Sequence, residues 1–311
     1  TKRGFGSTEF HVLRPRAGVD PRFVFYLVWN QEFRNEAAKH MTGSAGQKRI
    51  PTAYLKQVKV PSFTVDQQRR IADILDKADA IRRKRKEAIA LTEELLRSAF
   101  LDMFGDPVTN PKGWEVKPLK RLLAIPLRNG LSPASGGAHP AKILTLSAIT
   151  RGRFDGEAVK DGLFAAVPWD DVRQDRRDFL ICRGNGNLAL VGAGAFPDES
   201  DQSVVFPDTM IAARLDEDLI SRSFLDAVWK TTLVRRQIES GARTTNGTFK
   251  VNQSVIESIC VPVPGIRQQR AFDSVAQRIS QMSEKHQHGA DDAQVLFASL
   301  THRAFSGSLR G

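Results

Sequence analysis

The stretch VPSFTVDQQRRIADIL at 60–75 is written again as VPVPGIRQQRAFDSVA at 261–276. At a constant offset of 201, Val60 lies over Val261, Pro61 over Pro262, Val65 over Ile266, and Gln67-Gln68 over Gln268-Gln269. The register extends upstream through Gly46 and Gly247, Ile50 and Val251, Leu55 and Ile256, and Val58 and Ile259. Downstream it pairs Ile74 with Val275, Ile81 with Met282, Leu95 with Leu296, Ser98 with Ser299 and Phe104 with Phe305. With a one-residue gap, VFYLVWN at 24–30 falls over SFLDAVWK at 223–230. Repetition at a fixed spacing constrains the fold, because each copy must form the same supersecondary unit. That unit reads as a short helix with a Trp, a basic Gly/Thr loop, an apolar strand, a Pro turn and a long helix.

The strand reading comes from the alternation of Leu55, Val58 and Val60. From Asp66 the period changes. Ile74, Ile81, Ala88 and Leu95 are seven apart, and Ala78, Arg85, Thr92 and Ala99 form a second seam. This heptad pattern predicts a helix to Phe104, stopped by Gly105-Asp106-Pro107. At 1.5 Å per residue it would be about 58 Å long, too long to bury in one small domain. Its natural partner is its own copy, from about Arg267 to Phe305, with a kink or fraying expected at Gly289. Each helix packing separately on its own domain is the alternative.

Between the helices, short β-like runs occur at 141–149, 178–183, 188–194, 209–215 and 258–264, separated by Gly, Pro, Asn and Asp clusters. A helix is expected near 218–239. The fold class is therefore α+β, with mixed, mostly β domains linked by two long antiparallel helices that form a coiled coil. Four segments follow: 1–63, the C-terminal part of a first domain; 64–106, a long helix; 107–265, a second domain; and 266–311, a second long helix.

A length of 311 residues suits two domains. The 46 Lys and Arg exceed the 35 Asp and Glu, giving a net charge of +11, which favours a polyanionic partner such as nucleic acid. No apolar run of 18 residues predicts a transmembrane helix. Cys182 and Cys260 have no CxxC spacing and read as buried thiols of a cytoplasmic protein.

DNA reading needs Lys and Arg for phosphates and Arg, Asn, Gln, Ser or Thr for base edges. The loop at 241–250 supplies Arg243, Thr244, Thr245, Asn246 and Lys250 between glycines, and its counterpart at 43–49 supplies Gln47, Lys48 and Arg49. Both loops face DNA or simply close hairpins. Arg183, Asn185 and Asn187 flank Gly184 and Gly186 in a phosphate cradle or a tight turn, without the GxGxxG or GxxxxGK[ST] spacing. Arg128, Asn129 and Ser132 precede a flexible run suited to a groove, and Arg151 and Arg153 are phosphate contacts or solvated. The run 82–86 is a solvated face, a phosphate contact or a docking surface for an acidic partner.

Chemistry of other kinds has little support. There is no NPP[FY] or DPP[FY] methyltransferase motif and no Walker A loop, and Pro207-Asp208 opens no nuclease motif. His286 and His288, two apart, point in different directions on a helix and read as solvated, not as a metal site. No cofactor is expected, and the chain reads as a non-enzyme.

Taken together, 60–107, NPKGWEVKPLKRLL at 110–123, RRDFLICRGNGNLALVGAGAF at 176–196, GARTTNGTFKVNQSVI at 241–256 and SLTHRAFSGSL at 299–309 resemble the specificity subunit of type I restriction-modification systems. The resemblance spans essentially the whole chain. It implies two target recognition domains that read a bipartite DNA sequence. The long helices would serve as a ruler and dock methyltransferase subunits, with a restriction subunit completing the complex. The second recognition domain would be 112–264, related to the first by a pseudo-twofold axis. The offset places the counterpart of position 112 at −89, so a truncated first domain is expected. Two rival readings remain: a fragment of a fused restriction-methyltransferase enzyme, and a coiled-coil adaptor.

Overall fold

A computed structural model describes residues 10–43, 48–245 and 247–308. The helices are α1 (Pro21–Trp29), α2 (Gln31–Lys39), α3 (Thr52–Gln57), α4 (Val65–Phe104), α5 (Arg222–Trp229), α6 (Thr232–Gly241), α7 (Gln253–Ser258) and α8 (Ile266–Phe305). The strands are β1 (Glu115–Pro118), β2 (Arg128–Asn129), β3 (His139–Leu144), β4 (Val159–Phe164), β5 (Arg173–Gln174), β6 (Asp178–Cys182) and β7 (Gly184–Asn185). They continue as β8 (Gly194–Ala195), β9 (Asp201–Val205), β10 (Met210–Arg214), β11 (Arg243–Thr245), β12 (Thr248–Lys250) and β13 (Cys260–Val263). The chain divides into two compact units, Thr1–Glu93 with Gln281–Gly311, and Glu94–Ser280. Each long helix contributes one part to each unit, so both units contain the start of one long helix and the end of the other.

In the first unit, Asp20 caps α1 by accepting from the Arg22 and Phe23 amides at 2.8 and 3.2 Å. Phe23 and Tyr26 then pack with Ile71, Leu75 and Ala78 of α4 and Phe297 and Ala304 of α8. Arg82 lies across this core, its guanidinium 4.7 Å from the Trp29 ring centre and 5.0 Å from Phe297, while it donates to Asp79 at 2.7 Å. The basic run at 82–86 is thus not uniformly solvated: Arg82 keeps only 16% of its side chain exposed, whereas Arg83 keeps 71%.

The second unit carries two four-stranded sheets, β2-β10-β6-β8 and β4-β3-β9-β5, beside the smaller sheets β11-β12-β7 and β1-β13. Period-two alternation explains why β6 and β10 read as continuous apolar runs. Phe179, Ile181, Ile211 and Ala213 face a core with Phe100, Phe104, Phe224 and Phe272, while Leu180, Cys182, Met210 and Ala212 face Ile143, Val204 and Val205 of the second sheet. One sheet therefore lies between helices and another sheet, buried on both faces. Burial pushes the Cys182 thiol up to about 11. Cys260 is only half-buried, short of the buried thiol expected for it. At pH 8 a thiol reagent is therefore expected to label Cys260 alone in the native chain and both cysteines after denaturation; native labelling of Cys182 would contradict this environment.

The repeat holds at the level of single hydrogen bonds. Gln68 accepts from the Asp20 amide at 3.0 Å and donates to the Phe63 carbonyl at 3.0 Å. Its counterpart Gln269 accepts from the Ser221 amide at 2.8 Å and donates to the Pro264 carbonyl at 2.7 Å. Asp20 and Ser221 are both helix caps, and Phe23 and Phe224 both pack against the last Phe of a long helix, Phe305 with ring centres 5.3 Å apart and Phe104 edge-on at 5.0 Å. The helix starts thus align at the plain offset of 201 without the gap expected from the Trp positions.

Five other expectations need correction. The predicted strand of the unit begins as a helix in both copies, α3 and α7. Only the second copy then forms a strand, because β13 pairs with β1 (Val116 opposite Pro262), whereas residues 58–60 have no ladder among the described residues. One of the two α4 seams is shifted by one residue: Leu75, Arg82, Ile89 and Leu96 are buried or half-buried while Ile81 and Leu95 are each 48% exposed, whereas the second seam keeps Ala78, Thr92 and Ala99 buried or half-buried and only Arg85 exposed. Arg82 within the true seam disguised it. No break occurs at Gly289; α8 runs through it, and a Cβ there would lie 3.3 Å from the Arg85 guanidinium, so this glycine makes room for the facing arginine. Finally, 188–190 is a short 3-10 turn and not a strand, and 218–239 holds two helices.

Candidate nucleic-acid interface

The hairpin β11–β12 pairs Arg243 with Lys250 and Thr244 with Phe249. Its second strand also pairs with β7, placing Phe249 opposite Asn185 and Lys250 opposite Gly184. Two loops nearly sixty residues apart in sequence are thereby joined in one three-stranded sheet. Backbone bonds extend the cluster. The Val251 amide donates to the Arg183 carbonyl at 2.9 Å, and the Arg183 amide to the Thr209 carbonyl at 2.8 Å. Leu131 donates to Phe206 at 3.1 Å, and the Gln253 side chain to the Leu127 carbonyl at 3.2 Å. Gly130 permits this approach, since a Cβ there would lie 2.2 Å from the carbonyl oxygens of Phe206 and Pro207. Segments 127–132, 183–187, 206–210 and 243–250 therefore form one connected region of the second unit.

Within it, Asn129, Ser132, Asn187, Arg243, Thr244 and Lys250 are exposed, and Asn185 and Arg183 are half-buried. Arg183 donates to the Asp208 carbonyl at 3.3 Å. Arg128 is turned away from this surface: its side chain is 15% exposed and lies 2.5 Å from Asp178 and 3.7 Å from Asp171. Arg151 and Arg153 are not in the cluster. Arg151 pairs with Asp155 at 3.3 Å, and Arg153 lines a separate cleft of about 670 Å³ with Phe196, Arg222 and Lys230. Asn246, Gln47 and the Thr245 side chain lie outside the described residues. Lys48 and Arg49 are exposed, and Arg49 exchanges backbone bonds of 2.9 and 2.8 Å with Thr42. Thr42 and Arg49 correspond at the offset of 201 to Arg243 and Lys250, so both copies close this loop with the same residue pair. The turn at 207–209 and Gln253 were missed in the sequence; an exposed Thr209 directly before the apolar strand β10 was the available signal.

Charge pairing fixes the base of the region. The Arg177 side chain, together with its amide and the Arg214 guanidinium, holds Asp175 well below the usual carboxylate range against the opposing effect of partial burial. A depressed carboxylate stabilises the fold above its unfolded value, near pH ~3.9, and that contribution is lost as pH falls through the lower native value. The urea midpoint is therefore expected to drop in acid, below pH ~4, with Asp175→Asn removing this part of the acid slope; an unchanged slope in that variant would refute the assignment.

A family model described as the type I restriction modification DNA specificity domain matches residues 1–91. That segment, less than a third of the chain, is thus similar to the DNA specificity domain of type I systems. Among curated specificity subunits, that of the type I restriction enzyme MjaIX from Methanocaldococcus jannaschii is 26% identical over 131 residues, 37% of this chain and 30% of that protein. The EcoAI specificity subunit of Escherichia coli is 36% identical over 69 residues, 22% of this chain and 12% of that one. The chain thus spans less than a third of the length of the curated specificity subunits it matches. A solved chain of a type I R-M system aligns with 94% of this chain and 72% of its own length at a TM-score of 0.55 and 17% identity. The S subunit from M. genitalium aligns with 93% of this chain and 73% of its own length at 0.53 and 16% identity. These structures share the fold of two long helices with mixed α/β units. Among the described residues, no helix is long and apolar enough to cross a membrane.

Proposed function

We propose that this chain is the non-catalytic DNA-recognition subunit of a type I restriction-modification complex. The observation that carries the proposal is the convergence of three polar, glycine-flanked loops onto one sheet-supported surface, with the same closing pair repeated at Thr42 and Arg49. Arg243 and Lys250 would contact phosphates, while Asn129, Ser132, Asn185, Asn187 and Thr244 face the bases. Two such loops, one per copy, suit a bipartite target, with the long helices as spacer and segments 1–63 and 107–265 as recognition domains.

Methyl transfer and cleavage would belong to methyltransferase and restriction subunits. One feature supports a partner bound once per copy. Ile81 and Met282 are 48% and 46% exposed, and Leu95 and Leu296 are 48% and 49% exposed, so apolar groups recur at equivalent helix positions with equal exposure.

Methylome sequencing of cells carrying the complete system is expected to show a split motif lost when this chain is deleted. In vitro, affinity is expected to fall linearly with log salt, and Arg243→Ala or Lys250→Ala to reduce that slope by about one each. Binding indifferent to sequence, or methyl transfer by the purified chain alone, would overturn the proposal.

A further inference from the structure

The tip of the β6–β7 segment fixes which chemical group its asparagines present. The Asn187 amide donates to Asn185 Oδ1 at 2.9 Å, and the Ala189 amide donates to Asn187 Oδ1 at 3.0 Å. A backbone N–H can only donate, so both side-chain oxygens are set as acceptors toward the chain, and the Nδ2 groups are left on the other side. Neither Nδ2 meets an acceptor among the described residues. Gly186 between them is exposed, with open space where a Cβ would stand. Asn185 lies beside Phe249 in the sheet that carries Arg243 and Lys250.

We infer that Asn185 and Asn187 read the N7 edge of purines in the major groove by donating from Nδ2. The inference rests on the DNA-reading proposal and adds the chemistry of what is read. Bidentate contact with adenine needs Oδ1 to accept from N6 while Nδ2 donates to N7. Here Oδ1 is turned toward the backbone N–H it accepts, so Nδ2 is the group left to face a base edge. Purine N7, present on both adenine and guanine and flanked by O6 on guanine, is the major-groove acceptor most often open to such a group, thymine O4 being the other.

The test uses the full chain with its methyltransferase subunits and duplexes carrying the motif found by methylome sequencing. Each purine of the half-site is replaced in turn by its 7-deaza analogue, which keeps Watson–Crick pairing and removes N7. Substitution at one or two positions is expected to weaken binding about tenfold. Asn185→Asp and Asn187→Asp keep the oxygen that accepts from the backbone but lose the donor. In one or both variants the 7-deaza penalty should vanish, whatever the added charge does to overall affinity. If no 7-deaza position weakens wild-type binding, or if the penalty persists in both variants, the inference is overturned while the DNA-reading proposal stands. If the complex prefers no sequence at all, the DNA-reading proposal itself fails.

Discussion

Asp178→Ala is expected to destabilise the second unit by about 3–5 kcal/mol, the cost typical of breaking a buried ion pair by removing one partner. Asp178 is fully buried at the start of β6. Arg214, opposite it in β10, donates to its two oxygens at 2.9 and 2.9 Å, and Arg128 of β2 approaches Oδ1 at 2.5 Å. One carboxylate thus ties three adjacent strands together at one end. Without it, both guanidinium groups lose their shared buried carboxylate, and only the more exposed Asp175, 2.8 Å from Arg214, and Asp171, 3.7 Å from Arg128, remain to face them. Asp178→Asn keeps the shape and should fall between wild type and alanine. The check is the urea midpoint combined with hydrogen exchange at β2 and β6. A loss below about 1 kcal/mol would mean that Arg128 and Arg214 find water instead. Because β2 leads into Asn129 and Ser132, the same variant should loosen one edge of the candidate reading surface and lower sequence preference more than overall affinity.

Gln269→Leu should cost on the order of 3–5 kcal/mol, taking about 1–3 kcal/mol for each polar group left buried without a partner. Gln269 is fully buried and makes three bonds: it accepts from the Ser221 amide at 2.8 Å and donates to the Leu219 carbonyl at 3.1 Å and to that of Pro264 at 2.7 Å. Leucine fills similar space but satisfies none of them. The repeat provides an internal comparison. Gln68 is 8% exposed and makes two of these bonds, so Gln68→Leu should cost less, about 1–3 kcal/mol. Hydrogen exchange separates the two effects. Gln269→Leu should expose the start of α5 and leave α1 protected, and Gln68→Leu the reverse. Equal exposure of both helices in either variant would show that the glutamines are not local clamps.

These clamps show how much of the molecule can be read from its residues. The Gln pairs were visible as matched letters at the offset of 201, but their work was not, because each joins a helix start to a cap 48 residues earlier. One of the two seams of α4 was read one residue off. A heptad seam can be drawn through either of two adjacent columns, and Arg82 made the correct one look polar. Aromatic neighbours decided the matter, since Trp29 and Phe297 accept a guanidinium face that a hydropathy pattern counts as exposed. Among the candidate contacts, Asn185, Arg243, Thr244 and Lys250 fall in one sheet, with Arg183 and Asn187 on the segments flanking its third strand. Arg128 turns inward to Asp178, fifty residues away, and Arg151 and Arg153 lie elsewhere.

What the sequence determined by itself is the repeat, the extent and termini of the long helices, the basic charge and the glycine-flanked loops. All of these depend on interactions within a few residues: heptad spacing, caps, and the turn preferences of glycine and proline. What only the tertiary structure decided is which strand pairs with which, which of two adjacent seams is buried, and where each polar group points. Those outcomes are set by partners tens to hundreds of residues distant. The free energy of such contacts depends on the burial and hydrogen bonding that both sides acquire together, so neither segment carries it alone.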